Sequence, residues 1–247
     1  MIRTDIAPGI HLVEHARTNL YLVEDDDGVL VVDTGLPRSK PELLRALTLI
    51  DRSVDDVRAV VLTHGHFDHV GTAGHLRASY GIPVYCHPDD AFIAAHPYRY
   101  DRERSPFTYP LMHPRAVPGL LAMTAAGALE VKGIADTLPL TPEVAATLPG
   151  APMLVPLPGH TKGQCGLHFP DRDAVVSADA LVTLDPYTGR PGPQVVARAA
   201  TADMDTALSS LAALRSTGVR TVLPGHGFPW RAGVETAVAQ ALEVGAH

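Results

Sequence analysis

The sequence predicts an α+β chain in which β-sheets pack together and helices cover them on the outside. Three observations carry that expectation. Short apolar runs bounded by turn residues recur through the 247 residues. Segments with apolar residues at helical spacing lie between them. The alternation of the two occurs in the N-terminal half and again in the C-terminal half.

Strands are expected first at Ile10–Val13, Leu20–Glu24 and Val29–Asp33, an antiparallel meander with the acidic tip Asp25-Asp26-Asp27-Gly28. Pro41–Ile50 places Leu43, Leu44, Leu47 and Ile50 at helical spacing. Arg58–Leu62 is an unbroken apolar run of the kind buried strands carry, Val70–Tyr80 reads as helix, and Ile82–Cys86 as strand. Residues 97–118 differ. Pro97, Pro106, Pro110, Pro114 and Pro118 break regular structure, and Tyr98, Tyr100, Phe107 and Tyr109 lie among arginines. Irregular segments of this length in compact domains often serve as lids or binding loops. A short helix is expected at Leu120–Leu129. Beyond it, Met153–Leu157, Gln164–Phe169, Ala174–Ser177 and Arg220–Leu223 read as strands, and Met204–Arg215 and Val234–Val244 as helices. One domain over 1–247, with an insert at about 97–118, is the expected organisation.

Composition removes several classes. Twenty basic and 27 acidic residues leave a formal charge of −7, which disfavours a polyanionic partner, so no nucleic acid is expected. No apolar stretch has a membrane span's length, and Met1–Asp5 runs into an Ala-Pro-Gly turn without an export segment. Cys86 and Cys165 form no CxxC and read as buried free thiols. A cytoplasmic protein acting on a small molecule is the expectation; composition leaves its oligomeric state open. Histidine alone stands out, with 13 copies.

Five of those histidines fall in a pattern. Thr63-His64-Gly65-His66-Phe67-Asp68-His69 holds four donors within six residues, at a strand-to-helix turn where neighbouring side chains can converge. His64 and His66 share a face if the strand continues, because its side-chain period is two. His160 follows the strand 153–157, Asp179 ends the strand Val175–Asp179, and His226 follows 220–223. Each thus caps an apolar strand, and strand ends at one edge of packed sheets are where a site can assemble. The donors are nitrogen and oxygen only, which suits Zn²⁺ and also Fe and Mn.

With these residues in this order, the chain resembles a metallo-β-lactamase superfamily hydrolase. Its HxHxDH motif matches His64, His66, Asp68 and His69, its later ligands match His160, Asp179 and His226, and Asp33-Thr34-Gly35 matches its early Asp-Thr-Gly. The resemblance implies an αββα sandwich, two mixed β-sheets flanked by helices, with the site along one edge. It implies two divalent ions, Zn²⁺ first among the candidates. His64, His66 and His160 would hold one, Asp68, His69 and His226 the other, and Asp179 would bridge them. Such ions lower the pKa of water from 15.7 to roughly 7 and polarise a carbonyl or phosphoryl oxygen. Asp68 would then orient the water or relay its proton, while Asp33 and Thr63 would hold ligand histidines in place.

Departures from the branches of the family narrow the substrate. His66 stands where flavodiiron oxygen reductases carry Glu. The 21 residues after His226 do not supply the long helical region of glyoxalase II-type thiolester hydrolases. Exported zinc β-lactamases and the nucleic-acid-processing branches fit neither the N-terminus nor the charge. The Tyr that acyl-homoserine lactonases keep after the bridging Asp is missing from Ala180-Leu181-Val182-Thr183, although Tyr187 or a Tyr of the insert could replace it. The remaining expectation is a hydrolase of a small ester, lactone or thioester. Tyr98, Tyr100, Arg102, Arg104, Tyr109, His113 and Lys162 are the candidate substrate contacts. The alternatives are a persulfide dioxygenase with one Fe(II) on His64, His160 and Asp179, and a non-catalytic metal-binding member of the fold.

Overall fold

The computed structural model describes residues 1–247 as an αββα sandwich. Its strands and helices follow in chain order. They are β1 (Ile2–Ala7), β2 (Ile10–His15), β3 (Thr18–Asp25), β4 (Gly28–Val32), α1 (Lys40–Leu49), β5 (Val57–Leu62), α2 (Ala73–Tyr80) and β6 (Val84–Cys86). Next come α3 (Ala91–Ala95), α4 (Tyr109–Met112), α5 (Val117–Ala125), β7 (Leu138–Pro139), α6 (Pro142–Ala145), β8 (Met153–Pro156), β9 (Cys165–Phe169) and β10 (Ala174–Ala178). The chain closes with β11 (Val182–Leu184), β12 (Pro191–Gln194), α7 (Met204–Arg215), β13 (Thr221–Pro224) and α8 (Val234–Val244).

Strands β1 to β7 form one sheet in sequence order, and β13-β10-β9-β8 form the second. β2, β3 and β4 are the expected antiparallel meander, whereas β4–β5 and β10–β13 pair in parallel. Period-two alternation sorts each strand between two layers. On β4, Leu30 and Val32 join the inter-sheet core with Leu167, Phe169 and Val176, while Val29 and Val31 face α1 with Leu43 and Leu47. Val175 on β10 turns the other way, to Leu211 on α7 and Val238 on α8. Both helical layers are therefore required by strands that are apolar on both faces. No helix is long and apolar enough to cross a membrane.

Three boundaries differ from expectation for local reasons. α2 begins at Ala73 rather than Val70, because Gly71 and Thr72 bond to Gly35 and Thr34 instead of starting a helical ladder. A Cβ on Gly71 would sit 2.4 Å from the Gly35 carbonyl oxygen, so glycine permits that contact. β1 is polar at Arg3, Thr4 and Asp5 and lies at a sheet edge, where an apolar pattern is not required. The insert is not uniformly irregular: α5 starts inside it at Val117, with Pro118 in the first turn, where proline's missing N–H costs no bond.

Candidate metal centre

Four strand ends carry the site. β5 delivers Thr63 to His69, β8 leads to His160, β10 to Asp179, and β13 to His226. The loops are held by close backbone approach. A Cβ on Gly65 would lie 2.5 Å from the Ala94 nitrogen, one on Gly159 2.2 Å from the Ala207 nitrogen, and one on Gly225 2.0 Å from Asp179 Oδ1. Ala178, just before Asp179, has φ 46°, and Asp33 has φ 59°. Left-handed backbone at a non-glycine residue is strained, and such strain concentrates at functional sites.

All seven expected ligands are buried and converge. His64, His66 and His160 group in one place, Asp68, His69 and His226 in another, with donor atoms of each group within 4.8 Å of one another. Asp179 lies between them. Its Oδ2 is 3.5 Å from His160 Nε2 and 3.2 Å from His226 Nε2, and its Oδ1 is 3.6 Å from His69 Nε2. Asp68 Oδ2 is 3.3 Å from His226 Nε2. The Nε2 atoms of all five histidines, with Asp179 Oδ1, are buried without a hydrogen-bond partner. Six orphaned donors facing one another is costly in a chain alone. It is the arrangement a divalent metal site requires, so the residues fit the ions.

Hydrogen bonds at the opposite ring nitrogens explain that orientation. His69 Nδ1 meets Asp33 Oδ2 at 2.9 Å and His226 Nδ1 meets the Arg17 carbonyl at 2.7 Å; both partners only accept. His64 Nδ1 lies 3.0 Å from Thr63 Oγ1, and His160 Nδ1 3.3 Å from Thr201 Oγ1. Those hydroxyls already donate, to Asp33 Oδ2 and to the Val196 carbonyl, and so accept from the rings. Nδ1 therefore carries a proton in each case, which turns Nε2 toward the centre.

Charge in the cluster is divided. Burial, reinforced by neighbouring imidazoles, holds His64 and His66 well below the ordinary histidine range. Burial also lowers His160 to about 4. At His226 burial opposes protonation, but Asp179 and Asp68 outweigh it and push the ring up to about 10. His69 is raised in the same way, against burial, by Asp33 and Asp179. Asp179 is held well below the carboxylate range because His226 and His69 overcome its burial.

Three supporting residues were not visible in the sequence. Asp90 is fully buried, and its carboxylate accepts from Gly65 N–H at 2.9 Å, Thr161 Oγ1 at 2.7 Å and Gly163 N–H at 2.7 Å. It ties the His64–His66 loop to the His160 loop. Thr201 and the Arg17 carbonyl are the others. The family resemblance points only to Asp33 and Thr63, 30 residues apart; Asp33 accepts from Thr63 N–H and Oγ1 at 2.8 Å each.

The candidate substrate contacts separate into two groups. Tyr100 reaches the cluster, its ring 3.9 Å from that of His66. Lys162 lines a cleft beside His160 with Tyr100, Arg99 and Phe92. Tyr187 lines a cavity of about 20 Å³ over His66, Asp68, Asp179 and His226, enough for about one water. Tyr98, Arg102, Arg104, Tyr109 and His113 do not line the three main cavities that reach a cluster histidine. Tyr98 instead donates to the Ala128 carbonyl and stacks on Phe67. Arg102 sits 5.6 Å over the Tyr100 ring, and the Arg104 N–H donates to the Arg198 carbonyl. Tyr109 is buried against Ala197 and Ala199, and His113 lines an outer cleft with Arg115. Aromatic and basic residue types in a loop do not distinguish a brace from a pocket wall.

Comparison with known proteins agrees with this architecture. The family profile of the metallo-beta-lactamase superfamily matches residues 15–226. The chain is 25% identical over 241 residues to Probable metallo-hydrolase YflN of Bacillus subtilis (strain 168), covering 91% of this chain and 86% of that protein. Among solved structures, TTHA1623 in a di-iron-bound form aligns with a TM-score of 0.61 and 26% identity, over 91% of this chain and 95% of that one. The metallo-beta-lactamase family protein TTHA1429 from Thermus thermophilus aligns with a TM-score of 0.66 over 94% of this chain and 78% of that one; at 23% identity it speaks for the fold.

Proposed function

The chain belongs to the metallo-beta-lactamase superfamily, and from that premise we propose that it is a dinuclear metal-dependent hydrolase of a small ester, lactone or thioester. One observation carries the reading: two donor triads meet at Asp179, and five imidazole Nε2 atoms within them are buried without a hydrogen-bond partner. His64, His66 and His160 would hold one ion, Asp68, His69 and His226 the second, and Asp179 both. Bound divalent ions supply Lewis acidity and bring the pKa of water toward neutrality.

The chain's own groups do the rest. Asp68, facing the cavity beside His226, orients the attacking water and takes its proton. Water adds its oxygen to the carbonyl carbon, the bond from that carbon to the alkoxy or thiolate group breaks, and the leaving group receives the proton. Tyr187, whose phenol burial and the neighbouring Tyr100 push well above the ordinary range, stays a neutral O–H donor over the cavity. As a residue lining that cavity, it would donate to the developing oxyanion. Leu120, Met123, Phe67 and Pro186 line the same cavity and exclude bulk water from it.

Zn²⁺ is the proposed metal, with Fe or Mn as alternatives; the resemblance to a protein solved in a di-iron form keeps iron in the test. The experiment is metal content of the purified chain, followed by turnover of an ester, a lactone, a thioester and a phosphodiester before and after chelation. Two ions per chain, and chelator-sensitive turnover restored by Zn²⁺ or Mn²⁺, are expected. One iron per chain with oxygen consumption on a persulfide would replace the hydrolase by a dioxygenase.

A further inference from the structure

A cleft on the His226 side of the centre is lined by two exposed arginines whose side chains have no ion-pair partner in the chain. Its walls include Arg17, Arg115, Met123 and Leu184, and it ends on the ligand His226. Neither Arg17 nor Arg115 offers its side chain to any hydrogen bond or ion pair; the Arg17 backbone alone is engaged, its N–H with Glu14 and its carbonyl with His226. A second, outer cleft shares Arg115 and adds Arg190, so positive charge continues outward from the metal side.

The acids nearby are already occupied. Asp185 lines the inner cleft but is fully buried. Its Oδ1 accepts from the N–H groups of Tyr187 and Thr188, and its Oδ2 from Ala197 N–H and His247 Nε2. The Glu14 carboxylate accepts the Arg17 N–H and lies 3.6 Å from the Met1 amino group. In a chain of net charge −7, an unpaired cluster of this sign is a local exception to the overall field.

The backbone at Arg17 adds an independent observation. Ala16 and Arg17 form the tight turn between β2 and β3, closed by the His15–Thr18 pair, with φ of 52° and 69°. Asparagine and glycine adopt that geometry at the least cost, and an Ala-Arg pair does not. The strained turn gives one residue two roles: its carbonyl fixes His226, and its side chain lines the cleft above.

We propose that this cleft binds an anionic group of the substrate, a carboxylate or phosphate on the portion extending from the scissile carbonyl, clamped between Arg17 and Arg115. Guanidinium forks match both oxyanions with paired N–H donors. The proposal rests on the hydrolase reading for the bond broken, and on the cleft alone for the group bound.

The test uses the metal-loaded chain and three 4-nitrophenyl esters of similar length: butyrate, hydrogen succinate and 3-phosphonopropionate. The expected result is a kcat/KM at least tenfold higher for one anionic ester than for butyrate, and the preferred anion identifies carboxylate or phosphate. That ratio falls at least tenfold in the variant carrying Arg17→Asn, which tolerates the turn, with Arg115→Ala. Arg115→Lys keeps part of it. In parallel, calorimetry measures 4-phenylbutyrate, which has no bond to cleave, against 4-phenylbutanol. Tighter binding of the acid, lost in the double variant, supports the cleft even if no ester turns over, an outcome that would defeat only the ester form of the hydrolase reading. Equal preference for charged and neutral esters, or acid binding unchanged in the double variant, overturns the proposal and leaves the hydrolase standing.

Discussion

At the residue scale, Asp90 and Asp68 separate support from chemistry. All three groups facing the Asp90 carboxylate are donors. Asp90→Asn therefore turns an amide N–H toward at least one of them, and Asp90→Ala leaves all three unpaired. Each buried unpaired donor costs about 1–3 kcal/mol. Asp90→Asn should lower the Tm by about 2–12 °C in a chain of this size, Asp90→Ala by more. Metal affinity should fall about 10–100-fold, because the loops bearing His64, His66 and His160 lose a shared anchor. Thermal melts with a metal titration check this, and an Asn variant unchanged in both would dismiss Asp90 as an anchor. Asp68→Ala should act differently: turnover drops about 10²–10⁴-fold while the group of His64, His66 and His160 still binds metal. Full activity in that variant would refute its role. These contrasts also explain what the sequence could convey. His64 to His69 were legible because four donors lie within six residues, and the later three because each follows an apolar strand. Asp90, Thr201 and Arg17 meet their partners across 25, 41 and 209 residues, a separation that no local pattern records.

At the scale of elements, the insert and the β11–β12 region are tied to the frame in ways their composition conceals. Glu103 accepts the Met204 N–H at the start of α7 and pairs with Arg198. Removing residues 99–112 should consequently lower the Tm as well as alter substrate preference. Tyr100→Ala, which removes only the ring over His66, should change KM and leave the metal content intact. Loss of metal in Tyr100→Ala would make that ring structural. The strongly periodic elements, α1, α7 and α8 and the strands of the meander, were readable because burial imposes their pattern. β11 and β12 were not, since they are short and their turn is organised by the carboxylate of Asp185. That carboxylate also bonds His247, and the bond raises the imidazole pKa above its ordinary 6.5. The sign follows: the fold prefers protonated His247, so its contribution is complete below 6.5 and fades as pH rises through the raised value. The Tm gap between the wild type and His247→Gln should be wider at about pH 6 than at about pH 9. A gap independent of pH would mean that the pair contributes through packing alone.

At the scale of the molecule, the metal centre is a seam. Each triad draws ligands from both sheets: His64 and His66 follow β5 and meet His160 beyond β8, while Asp68 and His69 meet His226 beyond β13. The same edge is stitched by protein bonds. Asn19 on β3 donates through its side chain to the carbonyls of Pro224 and Gly227, and the Tyr21 hydroxyl donates to Pro224 at 2.7 Å. The Cys165 N–H donates to the Thr63 carbonyl at 3.0 Å. This closure was legible only through the family pattern, because the order β13-β10-β9-β8 depends on a parallel crossover through α7 that spacing alone does not fix. The inter-sheet core, with Leu30, Val32, Leu167 and Phe169, holds the layers together without ligands at the edge. Metal removal should therefore weaken the fold without dividing it. An ion at 100 times its dissociation constant adds about 2.7 kcal/mol, or a Tm increase of about 5–11 °C for a chain of this length. A chelated sample should melt in one transition, lower by about that amount for each ion removed, and recover on adding Zn²⁺. Two separated transitions after chelation would show that the ions, rather than the apolar core, join the sheets. An unchanged Tm would show that the triads bind no ion in the folded chain, and the hydrolase reading would fall with them.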